Sequence, residues 1–184
     1  MRKRARTAVL FATWFGSGRI PPIILKGMAG TYGSLCSIPL CYLALTLAHP
    51  RVWFKANNQW VLYIITIIVV LIIGLLSIPA AERALGPQKD WRGQFKLRDQ
   101  NQIVIDEVFG MLIACLPFIF VRMNQIHWWQ IGIAFVLFRI FDVIKPPGVR
   151  YFDQQHDEVG VMLDDGVAGL YAAIGVTLVL LACN

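Results

Sequence analysis

Apolar residues fall into five runs separated by short polar stretches: roughly Leu35 to Ala48, Trp60 to Ile78, Ile103 to Val121, Trp128 to Ile144 and Gly166 to Cys183. A helix needs about twenty apolar residues to cross a bilayer, and the second run, which carries no charge, meets that need most cleanly. The others are short, a deficit that tilt, interfacial extension or local thinning absorbs. The pattern predicts an all-α fold, a polytopic membrane helix bundle with about five spanning helices. Ahead of these runs, Thr7 to Phe15 is apolar but too brief to span, and Gly16 to Ser34 (GSGRIPPIILKGMAGTYGS) is punctuated by glycine and proline. Irregular backbone survives beside a membrane only where protein buries it or water reaches it. This N-terminal part is therefore expected to be an interfacial or re-entrant segment.

Composition agrees, since 57% of the 184 residues are hydrophobic, above the roughly 45–50% of soluble domains. A net charge of +6 would suit a nucleic-acid binder, but the basic residues lie between apolar runs, where they act as topology signals. Arg2, Lys3, Arg4, Arg6, Arg19, Lys26, Arg83, Lys89, Arg92, Lys96, Arg98, Lys145 and Arg150 fall on one side of the predicted bundle, against Arg51, Lys55 and Arg122 on the other. The positive-inside rule makes the first side cytoplasmic, with the N-terminus inside and the C-terminus outside. The opening MRKRAR followed by AVLFATWF resembles a signal peptide. Its apolar core is short, and no small-residue cleavage site follows, so a retained basic cytoplasmic terminus is expected. Cys36, Cys41, Cys115 and Cys183 lack metal-ligand spacing and read as small buried hydrophobes.

Charge reappears where an apolar helix has no use for it. RIFDVIKPP places Arg139, Asp142 and Lys145 at i, i+3 and i+6, on or near one helix face, before Pro146 and Pro147 stop the helix. Asp106 and Glu107 open the third run, and Asp164 and Asp165 precede the fifth, all on the same predicted side. Ionisable groups beside membrane spans are costly unless paired, solvated or metal-bound. Small residues next to them (Gly110, Ala168, Gly169) let helices approach closely, and carboxylates brought together repel unless a cation sits among them. An oxygen-only set without His or Cys suits a hard ion such as Mg2+, held by carboxylates, phosphate oxygens and water. Taken singly, each acidic pair is equally explained by helix N-capping.

Gly27, Gly30, Thr31, Gly33 and Ser34 precede a helix, where exposed backbone N–H groups bind anions. A plain turn with Ser34 as cap serves as well. Arg139 and Lys145 add a fork and a point charge for phosphate oxygens. Cations, metal and phosphate together support in-line phosphoryl chemistry. His49, His127 and His156 lie away from the acids. Ser17 and Ser34 have no adjacent histidine base, which argues against a serine triad. Tyr151, Asp153, Asp157 and Glu158 read as a polar loop capping the site, and Asp99 and its charged neighbours as a solvated loop.

GSGRIP with GTYGS, then IDEVFG, FRIFDVIKPP and MLDDGVAG, in this order, resemble the sequence blocks of the bacterial phosphatidylglycerophosphatase A family. The likeness runs from Phe11 to Tyr171. It departs at Ala29, where the family usually has proline, and at Asp99 and Gln100, where it usually has Asp-Pro. The resemblance implies Mg2+-dependent hydrolysis of phosphatidylglycerophosphate in the membrane, at the cytoplasmic face of the inner membrane, by one integral-membrane phosphatase domain spanning residues 1–184. By position, Asp106, Glu107, Asp164 and Asp165 would form the metal shell and Arg139 and Lys145 would bind phosphate, aided by Gly30, Thr31, Gly33 and Ser34. Asp142 would be a further ligand or the general base. Attack by water or through an aspartyl-phosphate both remain open. Neither a nucleic-acid partner nor an obligate protein partner is indicated. A CDP-alcohol phosphotransferase is the enzymatic alternative, although LDDGVAG lacks the arginine and later aspartates of that pattern. A small ion or metal transporter is the other alternative, although it would carry ionisable residues through the whole depth of the bundle.

Overall fold

The computed structural model describes residues 3–20, 28–48, 59–89, 95–96, 100, 102–121, 126–155 and 157–183. Lys26, His49, Asp99 and His156 lie outside the described residues, as does most of the IPPIIL stretch. The elements are α1 (Lys3–Ala12), a 3-10 turn (Ser17–Arg19), α2 (Ala29–Ala48), α3 (Gln59–Leu85), β1 (Gln88–Lys89), β2 (Phe95–Lys96), α4 (Ile105–Ala114), a 3-10 segment (Leu116–Phe120), α5 (Trp128–Ile144), α6 (Pro147–Asp153) and α7 (Glu158–Ala182). The two short strands pair antiparallel, Gln88 with Lys96 and Lys89 with Phe95. Among the described residues, everything that positions the site is helical.

Three helices are long and apolar enough to cross a membrane: α2, α3 from Trp60 to Leu85, and α7. The expected span at 103–121 is interrupted. Ten of its residues, Ile105–Ala114, form α4, and Cys115 leads into the 3-10 segment with Pro117 in its first turn. Together the two pieces extend roughly 25 Å, against about 30 Å of hydrocarbon. The 17 residues of α5 also give roughly 25 Å. The fifth run begins earlier than its hydropathy suggested, because Asp157 caps α7 by accepting a hydrogen bond from Gly160 N at 2.7 Å.

The short helix α4 is the centre of the molecule. Ile105, Val108, Met111, Leu112 and Ala114 are fully buried, as expected for a helix that is apolar all round beyond its first turn. Its broken C-terminal end leaves carbonyls without helical partners, and the buried Tyr63 of α3 donates to one of them, Leu112 O, at 2.8 Å. On α7, a Cβ at Gly169 would overlap the carbonyl oxygen of Gly110, and one at Gly166 would lie 2.7 Å from the Phe109 ring. Backbones this close leave room for hydrogen alone, the small-residue packing by which membrane helices associate. Helix α1 lies against α3, with Val9 and Ala12 buried.

Gly30 to Ser34, expected in a loop, form the first turns of α2 instead. Ser34 Oγ donates back to Gly30 O at 2.8 Å rather than capping the helix start. Contacts between α4 and α7, the Gln100–Gly86 and Lys145–Asp164 hydrogen bonds, and the closeness of Gly30 to Glu107 gather the starts of α2, α4 and α7 with the ends of α3 and α5. Asp106, Glu107, Asp164, Asp165 and Lys145 collect at this end.

Candidate active site

Asp106 and Glu107 occupy the first turn of α4. Asp165 sits two turns inside α7, roughly 10 Å along the axis from its start. Helix capping therefore does not account for Asp164 and Asp165, since the capping position belongs to Asp157. The close crossing of α4 and α7 brings one carboxylate oxygen from each of Asp106, Glu107 and Asp165 within 4.8 Å of the others. Asp106 and Asp165 are buried.

The oxygens Asp106 Oδ1 and Glu107 Oε2 are buried and have no hydrogen-bond partner. A buried unsatisfied acceptor is rare in a folded protein, and like charges so close in a low-dielectric interior repel by several kcal/mol, as an order of magnitude. A hard cation among them would relieve both costs, because its preferred ligands are oxygens of this kind. The donor set fits such an ion.

Asp164 turns away from this trio. Its Oδ1 accepts from Asp165 N at 2.9 Å and its Oδ2 lies 3.3 Å from Lys145 Nζ. Lys145 ends α5 in the left-handed conformation (φ 50°), a backbone state that favours glycine. Pro146 follows and Pro147 opens α6, so the chain turns sharply and Asp153 at the end of α6 forms a second ion pair with Lys145. Burial opposes the lysine's charge, but the hydrogen bond it donates to Asp153 and the charges of Asp164, Asp153 and Asp142 outweigh it and hold the ammonium above the ordinary lysine range. Lys145 is therefore a fixed cation at neutral pH.

Arg139 Nη1 lies 2.8 Å from Asp142 Oδ2, one helical turn away. The approach is close enough for an ion pair but is not aligned as a hydrogen bond, and this buried nitrogen has no hydrogen-bond partner. The Arg139 charge acts on Glu107 and Asp165, as does that of Asp142. The site thus has an acidic centre with one cation on either side.

Of the glycine-stretch residues, Gly30 borders this centre, and Thr31 lines a groove together with Arg139. A Cβ at Gly30 would overlap Glu107 Oε1 and lie 3.2 Å from Arg139 Nη1. Gly33 is pressed against Val104, and Ser34 is fully buried in helix packing. Because the Glu107 carboxylate is the far end of a flexible side chain, Gly30→Ala should lose less than about 1 kcal/mol of stability. Moving that carboxylate should nevertheless lower kcat about tenfold or more. Thermal unfolding and phosphate release measured on one preparation check this split.

Sequence reasoning missed the role of Asp153, which was read as part of a capping loop. The Pro-Pro turn that returns it to Lys145 carries no periodic signal. His127 precedes α5 and Gln130 Oε1 accepts from its backbone N–H at 2.8 Å, a structural role in line with the sequence reading.

Apolar helices around a buried carboxylate centre with flanking cations define a membrane-associated protein equipped to act on phosphate. Comparison narrows the class. The Phosphatidylglycerophosphatase A family profile matches residues 10–180, and the chain belongs to this family, whose relatives are phosphatases. It is 32% identical to phosphatidylglycerophosphatase A of Escherichia coli K12 over 165 residues, covering 89% of this chain and 78% of the relative. The Haemophilus influenzae Rd protein of the same name is 30% identical over 168 residues, covering 90% and 83%. A Bacteroides thetaiotaomicron protein provisionally named phosphatidylinositol-3-phosphatase is 33% identical over 174 residues, covering 95% and 94%. No solved structure matches.

Proposed function

We propose that the chain hydrolyses phosphatidylglycerophosphate to phosphatidylglycerol and inorganic phosphate, with Mg2+, in phospholipid biosynthesis. The observation that carries this reading is the buried trio Asp106, Glu107 and Asp165 beside Arg139, in a chain of this family. Asp106, Glu107 and Asp165 would hold the cation, with Asp164 next to them but engaged by Lys145. When bound, a divalent cation supplies Lewis-acid stabilisation of phosphoryl charge and lowers the pKa of water.

The chain's own groups do the rest. Arg139 has donors to spare for phosphate oxygens, and Asp142 fixes its orientation. Lys145 places a permanent charge on the other side. Gly30 and Thr31 open α2, and Gly30 borders Glu107; the backbone N–H groups of a helix start would suit a phosphate oxygen. Asp142 would be a further ligand of the cation or take the proton of an attacking water. The net step breaks the bond between phosphorus and the glycerol oxygen, which leaves as the alcohol, and forms a bond from phosphorus to water oxygen.

In this reading residues 1–184 form one integral-membrane domain of a bacterial inner membrane. The segment formed by α4 and the 3-10 segment, together with α5, completes five crossings. The site faces the cytoplasm.

Purified protein in detergent should release phosphate from phosphatidylglycerophosphate. Chelator should stop the release and Mg2+ restore it. Release that persists undiminished in chelator would remove the metal from this reading. The name of the Bacteroides relative makes phosphatidylinositol 3-phosphate the comparison substrate, and faster turnover of that lipid would overturn the choice of headgroup.

A further inference from the structure

Helices α2 and α5 touch only sparsely and leave an apolar groove of about 450 Å³ between them, within the size range of ligand sites. Its walls include Thr31 of α2 and Phe135, Ile140 and Val143 of α5, and its polar end is Arg139. Ile140 and Val143 are exposed, Val143 by 73%, on a helix that is otherwise apolar. The groove is continuous with the site, since the same Arg139 that closes it lies beside Gly30 and Glu107.

We propose that this groove seats one acyl chain of a lipid phosphomonoester, which enters sideways from the bilayer and leaves its headgroup at Arg139. The inference rests on the lipid-phosphate reading above and goes beyond it by naming the path. Charge complementarity selects the occupant, because Arg139 places a half-buried guanidinium, whose buried Nη1 has no hydrogen-bond partner, at one end of an apolar trough. An acyl chain gains little by leaving lipid for an apolar groove. The trough therefore does not supply the affinity. It lets the chain stay in hydrocarbon while the phosphate end reaches the cation and the carboxylates beyond.

Photo-cross-linking tests the path without depending on turnover. A photoreactive residue replaces Val143 or, as control, the exposed Leu178 of α7, in an Asp165→Asn background. The vesicles are phosphatidylethanolamine with minor phosphatidylglycerophosphate and phosphatidic acid. Adducts at position 143 should be enriched about tenfold in phosphomonoester lipid over its share of the membrane, while adducts at position 178 match that share. Enrichment in phosphatidylglycerophosphate supports both readings. Enrichment in phosphatidic acid alone keeps the groove and overturns the headgroup assignment. Adducts at position 143 that mirror the bulk membrane overturn the groove, whatever the wild-type hydrolysis assay shows.

A second variant, Ile140→Trp, blocks the trough with Asp165 intact. It should lower kcat/KM for the diacyl substrate about tenfold relative to that for deacylated glycerophosphoglycerophosphate. Equal losses for both substrates would also overturn the path.

Discussion

Asp165→Asn is expected to reduce phosphate release by about 10²- to 10³-fold or more while leaving the bundle as stable as before, or more stable by roughly 1–2 kcal/mol. The two effects have one cause. Asp165 is 4% exposed and its carboxylate shares a small space with those of Asp106 and Glu107. Asparagine keeps the shape and removes one of three mutually repelling charges. If the acids were a structural network, deleting one would leave an unpaired partner and cost several kcal/mol. If they are a cation site, its loss removes function and relieves strain. Phosphate release and thermal unfolding in detergent with chelator present separate these outcomes. A marked fall in stability together with retained activity would sink the assignment.

Gly169→Ala is expected to cost about 2 kcal/mol or more and to lower kcat by about 10²-fold, although the glycine touches no substrate. The added methyl would overlap the Gly110 carbonyl oxygen, and Ile113 Cβ would lie 3.1 Å away. A helical backbone cannot swing aside as a side-chain tip can, so α7 must move away from α4. Asp165 then moves relative to Asp106 and Glu107. The control is Gly132→Ala on α5, where a Cβ would meet nothing within 4 Å. There the same change should stabilise by roughly 0.5–1 kcal/mol through its helix preference. Tm and kcat of the two variants check the contrast, and equal behaviour would mean that the α4–α7 contact does not set the site.

Some of this was legible in the chain. Of the five apolar runs, those beginning at Leu35, Trp60 and Gly166 fall in the three long helices α2, α3 and α7, because crossing a bilayer demands apolar length that composition records. The charges of Asp106, Glu107, Arg139, Asp142, Asp164 and Asp165 stand out because apolar surroundings make each of them costly. Local pattern could not show that Ile103 to Val121 breaks at Cys115, because hydropathy is blind to the carbonyls that Tyr63 and the 3-10 segment accommodate. Nor could it show that Gly30 to Ser34 are helical. Glycine permits both a loop and a close helix contact, and the facing Glu107 and Val104 decide between them.

The sequence by itself determined that this is a helical membrane protein of the phosphatidylglycerophosphatase A family, with acids and cations at one end. That follows because hydrophobic length, charge and motif order are properties of the chain in one dimension. Only the tertiary structure decided how the acids divide. Asp165 joins Asp106 and Glu107 because glycines at 110 and 169 allow α4 and α7 to touch. Asp164, the next residue along, faces about a hundred degrees around the helix and meets Lys145, which the turn at Pro146 and Pro147 has brought back to it. One residue of helical rotation separates a member of the carboxylate trio from an ion-pair partner, and no spacing in the sequence says which neighbour will be waiting on each side.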